Sequence, residues 1–165
     1  MKQLEQTSCP KGMEEHVISK RFPVSDEQSN AIWHNLNLRE TFVDGQIFPY
    51  RVEFDAKSQN GPFAEGELNI HHGPGLSAHG RIGKITSEYR ILQYFYGSYV
   101  LSFRWIRPVS LEFYRHSGAI ELKLRCYVRP WMKPIWQWGN DLFWKYFGIS
   151  FLWKHKDGEK RELAS

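Results

Sequence analysis

Residues 131–155 read WMKPIWQWGNDLFWKYFGISFLWKH, and this stretch decides the fold. Ile135, Trp138, Leu142, Tyr146, Ile149 and Trp153 recur at steps of three or four, the spacing that gathers side chains on one face of a helix. Trp136, Phe143 and Phe147 widen that apolar stripe, and Lys133, Gln137, Asp141 and Lys145 form a narrow polar one. The pattern predicts a long C-terminal helix from about Trp131 to Trp153. Pro134 falls in its first turn, where a missing N–H is tolerated. Gly139 and Gly148 are costly inside a helix and point to close packing or a bend. A membrane span needs about 20 largely apolar residues. Lys133, Asp141 and Lys145 interrupt this segment, so it is read as a helix lying on a sheet.

The sheet is legible just upstream. Ile120, Leu122, Leu124, Cys126 and Val128 alternate with Glu121, Lys123, Arg125, Tyr127 and Arg129, which gives a strand with one buried and one wet face. Before the Ser117-Gly118 turn, strand character runs from Tyr89 to Tyr114. There Tyr99, Leu101, Phe103 and Trp105 share a face opposite Ser102 and Arg104, with Gly97 and Pro108 as punctuation. Earlier strands are read near Tyr50 to Phe54, Glu67 to His71 and His79 to Ser87, with Gly and Pro marking the breaks. His16 to Val24 opens the series, and Ser25 or Asp26 then caps a short helix in which Ile32, Trp33 and Leu36 have helical spacing. Short consecutive strands joined by tight turns make an antiparallel meander, since parallel pairs would need helical crossovers. The fold class is therefore α+β. Residues 1–15 are read as a flexible N-terminal segment, 16–155 as one domain and 156–165 as a polar tail.

Composition narrows the function classes. The 165 residues are 41% hydrophobic and 24% charged, the balance of a folding chain, and 16% aromatic, with 7 Trp, 8 Tyr and 11 Phe. Rings in that number fill cores, line apolar pockets or sit at membrane interfaces. A formal charge of +4 spread along the chain argues against a nucleic-acid partner, which would call for a concentrated basic face. The one basic cluster is Lys154, His155, Lys156, Lys160 and Arg161. Cys9 and Cys126 are far apart and read as free thiols in a reducing compartment. MKQLEQTSCPKGMEEH lacks the apolar core of a secretory signal, so cytoplasmic residence is the expectation.

The order of elements resembles the helix-grip fold of the START-like superfamily, also called SRPBCC. The residues that carry the resemblance are the His16 to Val24 strand with the Trp33 helix behind it, the glycine-punctuated GLSAHGRIGKI of Gly75 to Ile85, and the long helix after Arg129-Pro130. The resemblance covers about Glu15 to Lys154. It implies a curved antiparallel sheet of about six to seven strands wrapped on the C-terminal helix, with a cavity between them for a lipid, sterol, quinone or polyketide. The second small helix usual before strand two is not legible in Asn37 to Asp44.

Catalytic chemistry finds little support. His71, His72 and His79 suggest a metal, but adjacent strand residues point to opposite faces, so no metal is assigned. Gly73, Gly75, Gly80 and Gly83 lack phosphate-loop spacing and read as turn glycines. Acid–base candidates are Arg81 and Tyr89, with Arg104, Glu112 and Tyr114 read as part of a solvated sheet face. Cys126 reads as a small core hydrophobe. No cofactor is implied. The leading expectation is a non-catalytic binder of a hydrophobic small molecule, its ligand held by Trp33, Phe54, Leu101, Phe103, Trp105, Trp138, Leu142 and Tyr146. The alternatives are an enzyme like polyketide cyclases or aromatases, in which a buried Arg, Tyr or Glu moves a proton, and a peripheral membrane or partner-binding module that uses the basic, aromatic C-terminus.

Overall fold

The computed structural model describes residues 8–44, 51–55, 60–73, 76–97 and 105–145. In chain order they form β1 (Glu14–Pro23), α1 (Asp26–Leu36), α2 (Arg39–Asp44), β2 (Arg51–Phe54), β3 (Leu68–Gly73), β4 (Leu76–Ile85), β5 (Tyr89–Gly97), β6 (Ile106–His116), β7 (Ala119–Val128), a 3₁₀ turn (Pro130–Met132) and α3 (Lys133–Phe143). The seven strands make one antiparallel sheet in the order β1-β7-β6-β5-β4-β3-β2. Every neighbour but one is joined by the next turn of the meander. The exception is β1, which pairs with the last strand from Glu14↔Val128 to Pro23↔Ala119. The helical excursion that leaves β1 therefore lands at the far edge of the sheet.

α1 begins as its sequence requires. Ser25 Oγ accepts from the Gln28 N–H at 3.2 Å and Gln28 Oε1 accepts from the Ser25 N–H at 2.8 Å, a reciprocal capping box. Its buried side chains Ile32, Trp33 and Leu36 pack on Phe113, Ile120 and Leu122 of the sheet. The second helix that the sequence conceals is present as α2, only six residues long. Too short to show a period, it is held by tertiary contacts: Arg39 gives Nε to Glu67 Oε1 at 2.7 Å and Nη2 to Glu67 Oε2 at 2.8 Å, and Glu40 accepts from the Gly61 N–H at 2.7 Å.

Three local readings are corrected. Gly80 and Gly83 lie inside β4 rather than in turns. A Cβ on Gly80 would stand 2.6 Å from Asn69 Oδ1, and one on Gly83 2.6 Å from Ile91 Cγ2, so close approach within the sheet is what requires them. Pro108 falls within β6, not at its end, beside the register shift between Pro108 and Ser110, where a ladder donor can be spared. Glu112 is only 7% exposed although its face reads as solvated. Ser110 Oγ donates to it at 2.7 Å and Tyr114 Oη at 2.5 Å.

α3 is also turned from its expected orientation. Its polar stripe docks on β1: Gln137 Oε1 lies 3.1 Å from His16 Nε2, Asp141 Oδ1 2.6 Å from Lys20 Nζ, and Lys133 Nζ 2.6 Å from Glu14 Oε1. Trp136 and Met132 then pack on Ile18, Leu124, Cys126 and Val128, and Trp144 packs on Phe22 and Phe113. Trp131, Ile135, Trp138 and Leu142 are left exposed. Gly139 has open space where a Cβ would sit, so close packing does not explain it. The expected continuation to Trp153, with Gly148, lies outside the described residues. No helix among the described residues is long and apolar enough to cross a membrane.

Candidate functional site

Strand alternation sends one set of side chains from β2 to β5 toward the helices. Cross-strand rows on this inner face run Phe54–Asn69–Gly80–Tyr94 and Val52–His71–Ala78, with Ile82 opposite Leu92 and Arg90 opposite Phe113. Phe54, Phe63, Ala78, Ile82, Leu92 and Tyr94 form one buried cluster, and Phe42 and Val43 of α2 close over it. Phe63 is the hub of the rings, 5.2 Å from Phe54 and 5.7 Å from Phe42 between centroids. Arg39, tied to Glu67, holds this covering segment in place from outside.

Polar groups stand among these rings. Asn69 is 3% exposed, and its buried Oδ1 has no hydrogen-bond partner among the described residues. Arg90 is 5% exposed, its guanidinium carbon 4.9 Å from the Phe63 centroid and 5.5 Å from that of Phe42. The His71 ring meets Tyr94 edge-on at 5.8 Å. Burial, helped by the Arg90 charge, pushes the His71 imidazole down to about 4, which keeps it neutral at pH 7. Burial likewise raises the Tyr94 phenol, which stays protonated, and lowers Arg90 to about 10, still a cation. A recess of about 340 Å³ among these strands is lined mostly from the outer face, by Glu53, Ile70, His79 and Phe95, with Phe54 and Asn69 among its inner-face neighbours. The set can accept a hydrogen bond, donate several and present one positive charge, all within apolar walls.

The residues expected at the site separate into four groups. Trp33 and Phe54 are buried on the inner side, Trp33 giving its indole N–H to the Thr86 carbonyl at 3.1 Å. Trp105, Trp138 and Leu142 are exposed, Trp138 at 66%, with Trp105 meeting Trp131 edge-on at 5.3 Å. Leu101, Phe103 and Tyr146 lie outside the described residues. Arg81 and Tyr89 fall on the outer face, one position out of step with the inner Ile82 and Arg90. There Arg81 stacks over Phe95 at 4.8 Å and Tyr89 meets Tyr114 at 5.0 Å. Burial raises the Tyr89 phenol, and the Glu112 carboxylate adds to the effect.

Asn69, Arg90 and Tyr94 went unnoticed in the sequence. Alternation was the available signal: Arg90, Leu92 and Tyr94 share a face of β5, but nothing local says which face is inside. His71 and His72 do diverge as adjacent strand residues must, His71 toward Tyr94 and His72 toward Glu53 at 3.5 Å.

No family model matches the sequence, and no curated protein matches it. Solved structures do resemble the fold. A point mutant of norcoclaurine synthase from Thalictrum flavum, in complex with a transition-state analogue, superposes with a TM-score of 0.56 at 14% identity, over 87% of this chain and 98% of that one. The same plant's enzyme in complex with dopamine and hydroxybenzaldehyde gives a TM-score of 0.54 at 13% identity, over 94% of this chain and 98% of that one.

Proposed function

We propose that this chain, which has the helix-grip fold of the START-like (SRPBCC) superfamily, binds a hydrophobic small molecule on the inner face of its sheet, between β2–β5 and the covering helices. The observation that carries the reading is the buried Asn69 Oδ1, set beside the rings of the inner cluster and without a hydrogen-bond partner among the described residues. A sealed core of this chemistry would be expensive, because an orphaned buried acceptor costs about 1–3 kcal/mol. Apolar walls with a few convergent polar groups are the ordinary make-up of a ligand pocket. The structural likeness to a protein seen with dopamine and hydroxybenzaldehyde is in keeping with an aromatic-sized ligand, while quinones, lipids, sterols and polyketides remain within the same class.

Carriage is favoured over catalysis because Arg81 and Tyr89, the candidate acid–base groups, are on the other face of the sheet. A cyclase-like reaction would have to use His71, Tyr94 or Arg90 instead. Native mass spectrometry of protein purified from its host tests the binding reading. A co-purified apolar molecule that is lost on Phe54→Ala or Phe63→Ala supports it, and retention by both variants would place the molecule elsewhere.

A second reading is favoured by the outward stripe made by Trp131 of the 3₁₀ turn and Ile135, Trp138 and Leu142 of α3, beside the exposed Trp105. Tryptophan at the edge of an apolar stripe suits a membrane interface, and the chain's Lys154, Lys156 and Lys160 would add attraction to anionic lipid. Co-sedimentation with phosphatidylserine vesicles that disappears in Trp138→Ser/Leu142→Ser supports contact through this stripe. Unchanged sedimentation counts against it.

A further inference from the structure

We infer that Arg90 is the anchor for an anionic head group, so that the ligand of the inner face is an apolar, aromatic-sized molecule carrying a carboxylate or a comparable oxyanion. The inference rests on the reading of that face as a binding site and specifies the charge of what it takes.

Two arginines flank the Phe63 ring and have opposite fates. Arg39, 5.9 Å from the centroid, is neutralised by both oxygens of Glu67. Among the described residues Arg90, 4.9 Å from the same centroid, forms no ion pair with a carboxylate, and its buried Nε has no hydrogen-bond partner there. A desolvated cation left without a counter-charge costs several kcal/mol, of which ring contacts return only part. The polar neighbours do not supply the missing charge, since His71 and Tyr94 are both neutral. An incoming oxyanion would.

The geometry also selects the kind of anion. Phe42 and Phe63 lie against the guanidinium, at 5.5 and 4.9 Å, and its Nε–H, without a partner among the described residues, is the arm of the N–H fork open to an oxyanion. A carboxylate fits that fork, and an aromatic or aliphatic body then meets Phe54, Phe63 and Leu92. Lysine at this position would supply the charge without the fork.

The test uses the full chain and two fluorescent probes of one skeleton, 8-anilinonaphthalene-1-sulfonate and the uncharged N-phenyl-1-naphthylamine. The sulfonate should bind about tenfold tighter, the order expected of charge-assisted hydrogen bonds. Arg90→Gln should erase that preference while leaving the neutral probe within about twofold, and Arg90→Lys should keep part of it. Melting followed by circular dichroism should show Arg90→Met no less stable than the parent, because a buried unpaired charge has been removed. Equal affinities in the parent, a preference that survives Arg90→Gln, or a large drop in melting temperature for every Arg90 variant would overturn the anchor and leave the binding site standing. If neither probe binds the parent, the site itself fails and the anchor with it.

Discussion

The Gln137 amide of α3 and the His16 ring of β1 meet at 3.1 Å, and this contact helps fix which face of the helix looks at the sheet. One turn on, Lys20 and Asp141 repeat the link at 2.6 Å. With the polar stripe spent on β1, Trp136 turns inward to give its indole N–H to Cys126 Sγ at 3.1 Å, while Trp138 turns outward.

Two neighbouring tryptophans should therefore respond differently to truncation. Trp136→Ala opens a gap against Ile18, Leu124 and Val128 and should cost about 2–4 kcal/mol. Trp138→Ala removes an exposed ring and should stay within about 0.5 kcal/mol. Urea unfolding of both variants measures the contrast, and equal losses would contradict the helix rotation.

His71 makes stability depend on pH in a defined window. Its imidazole titrates at about 4 in the folded chain against an ordinary 6.5, so between those values the unfolded chain binds a proton that the folded one refuses. Its contribution is fully present above pH 6.5 and falls as the pH drops toward 4. The expected loss is on the order of 2 kcal/mol, below the full linkage because the ring retains some solvent contact. Denaturation midpoints of the parent and of His71→Gln, compared at pH 7 and pH 4.5, check it. The variant should lose less on acidification.

Gly80→Ala should destabilise the sheet by about 1–3 kcal/mol, because the new methyl group meets Asn69 Oδ1 at 2.6 Å and Leu92 Cδ1 at 2.9 Å. The backbone there is an ordinary strand, so the effect is steric. Gly66→Ala meets no atom within 4 Å and is strained only by its φ of 87°, which makes it a useful second measurement. Thermal melts of the two variants separate packing from backbone strain.

The two cysteines should differ in reactivity. Cys9 is exposed, whereas Cys126 is 0% exposed and burial pushes its thiol up to about 12. One thiol should react rapidly with Ellman's reagent in the native protein and the second only after denaturation. Two rapid equivalents would mean that β7 and α3 separate readily.

Much of the architecture was written in local pattern. Alternation marked β7, Ser25 and Asp26 marked the start of α1, and the order of strands and helices pointed to the helix grip because turn chemistry and hydrophobic period act over a few residues. The site was far less legible. A period of two says that Tyr89 and Arg90 face opposite ways but not which of them faces inward; the pairing of Arg90 with Phe113, beneath Phe42 and Phe63, decides that. Likewise α3 carries large apolar side chains on more than one face, and its polar stripe could equally well have met water. Only β1, brought alongside from more than a hundred residues away, supplied the His16 and Lys20 partners that turned the stripe inward. The sequence by itself determined the elements and their order, through interactions among near neighbours. The tertiary structure decided which rings and which arginine line the interior, because that choice is made by contacts between segments remote in the chain.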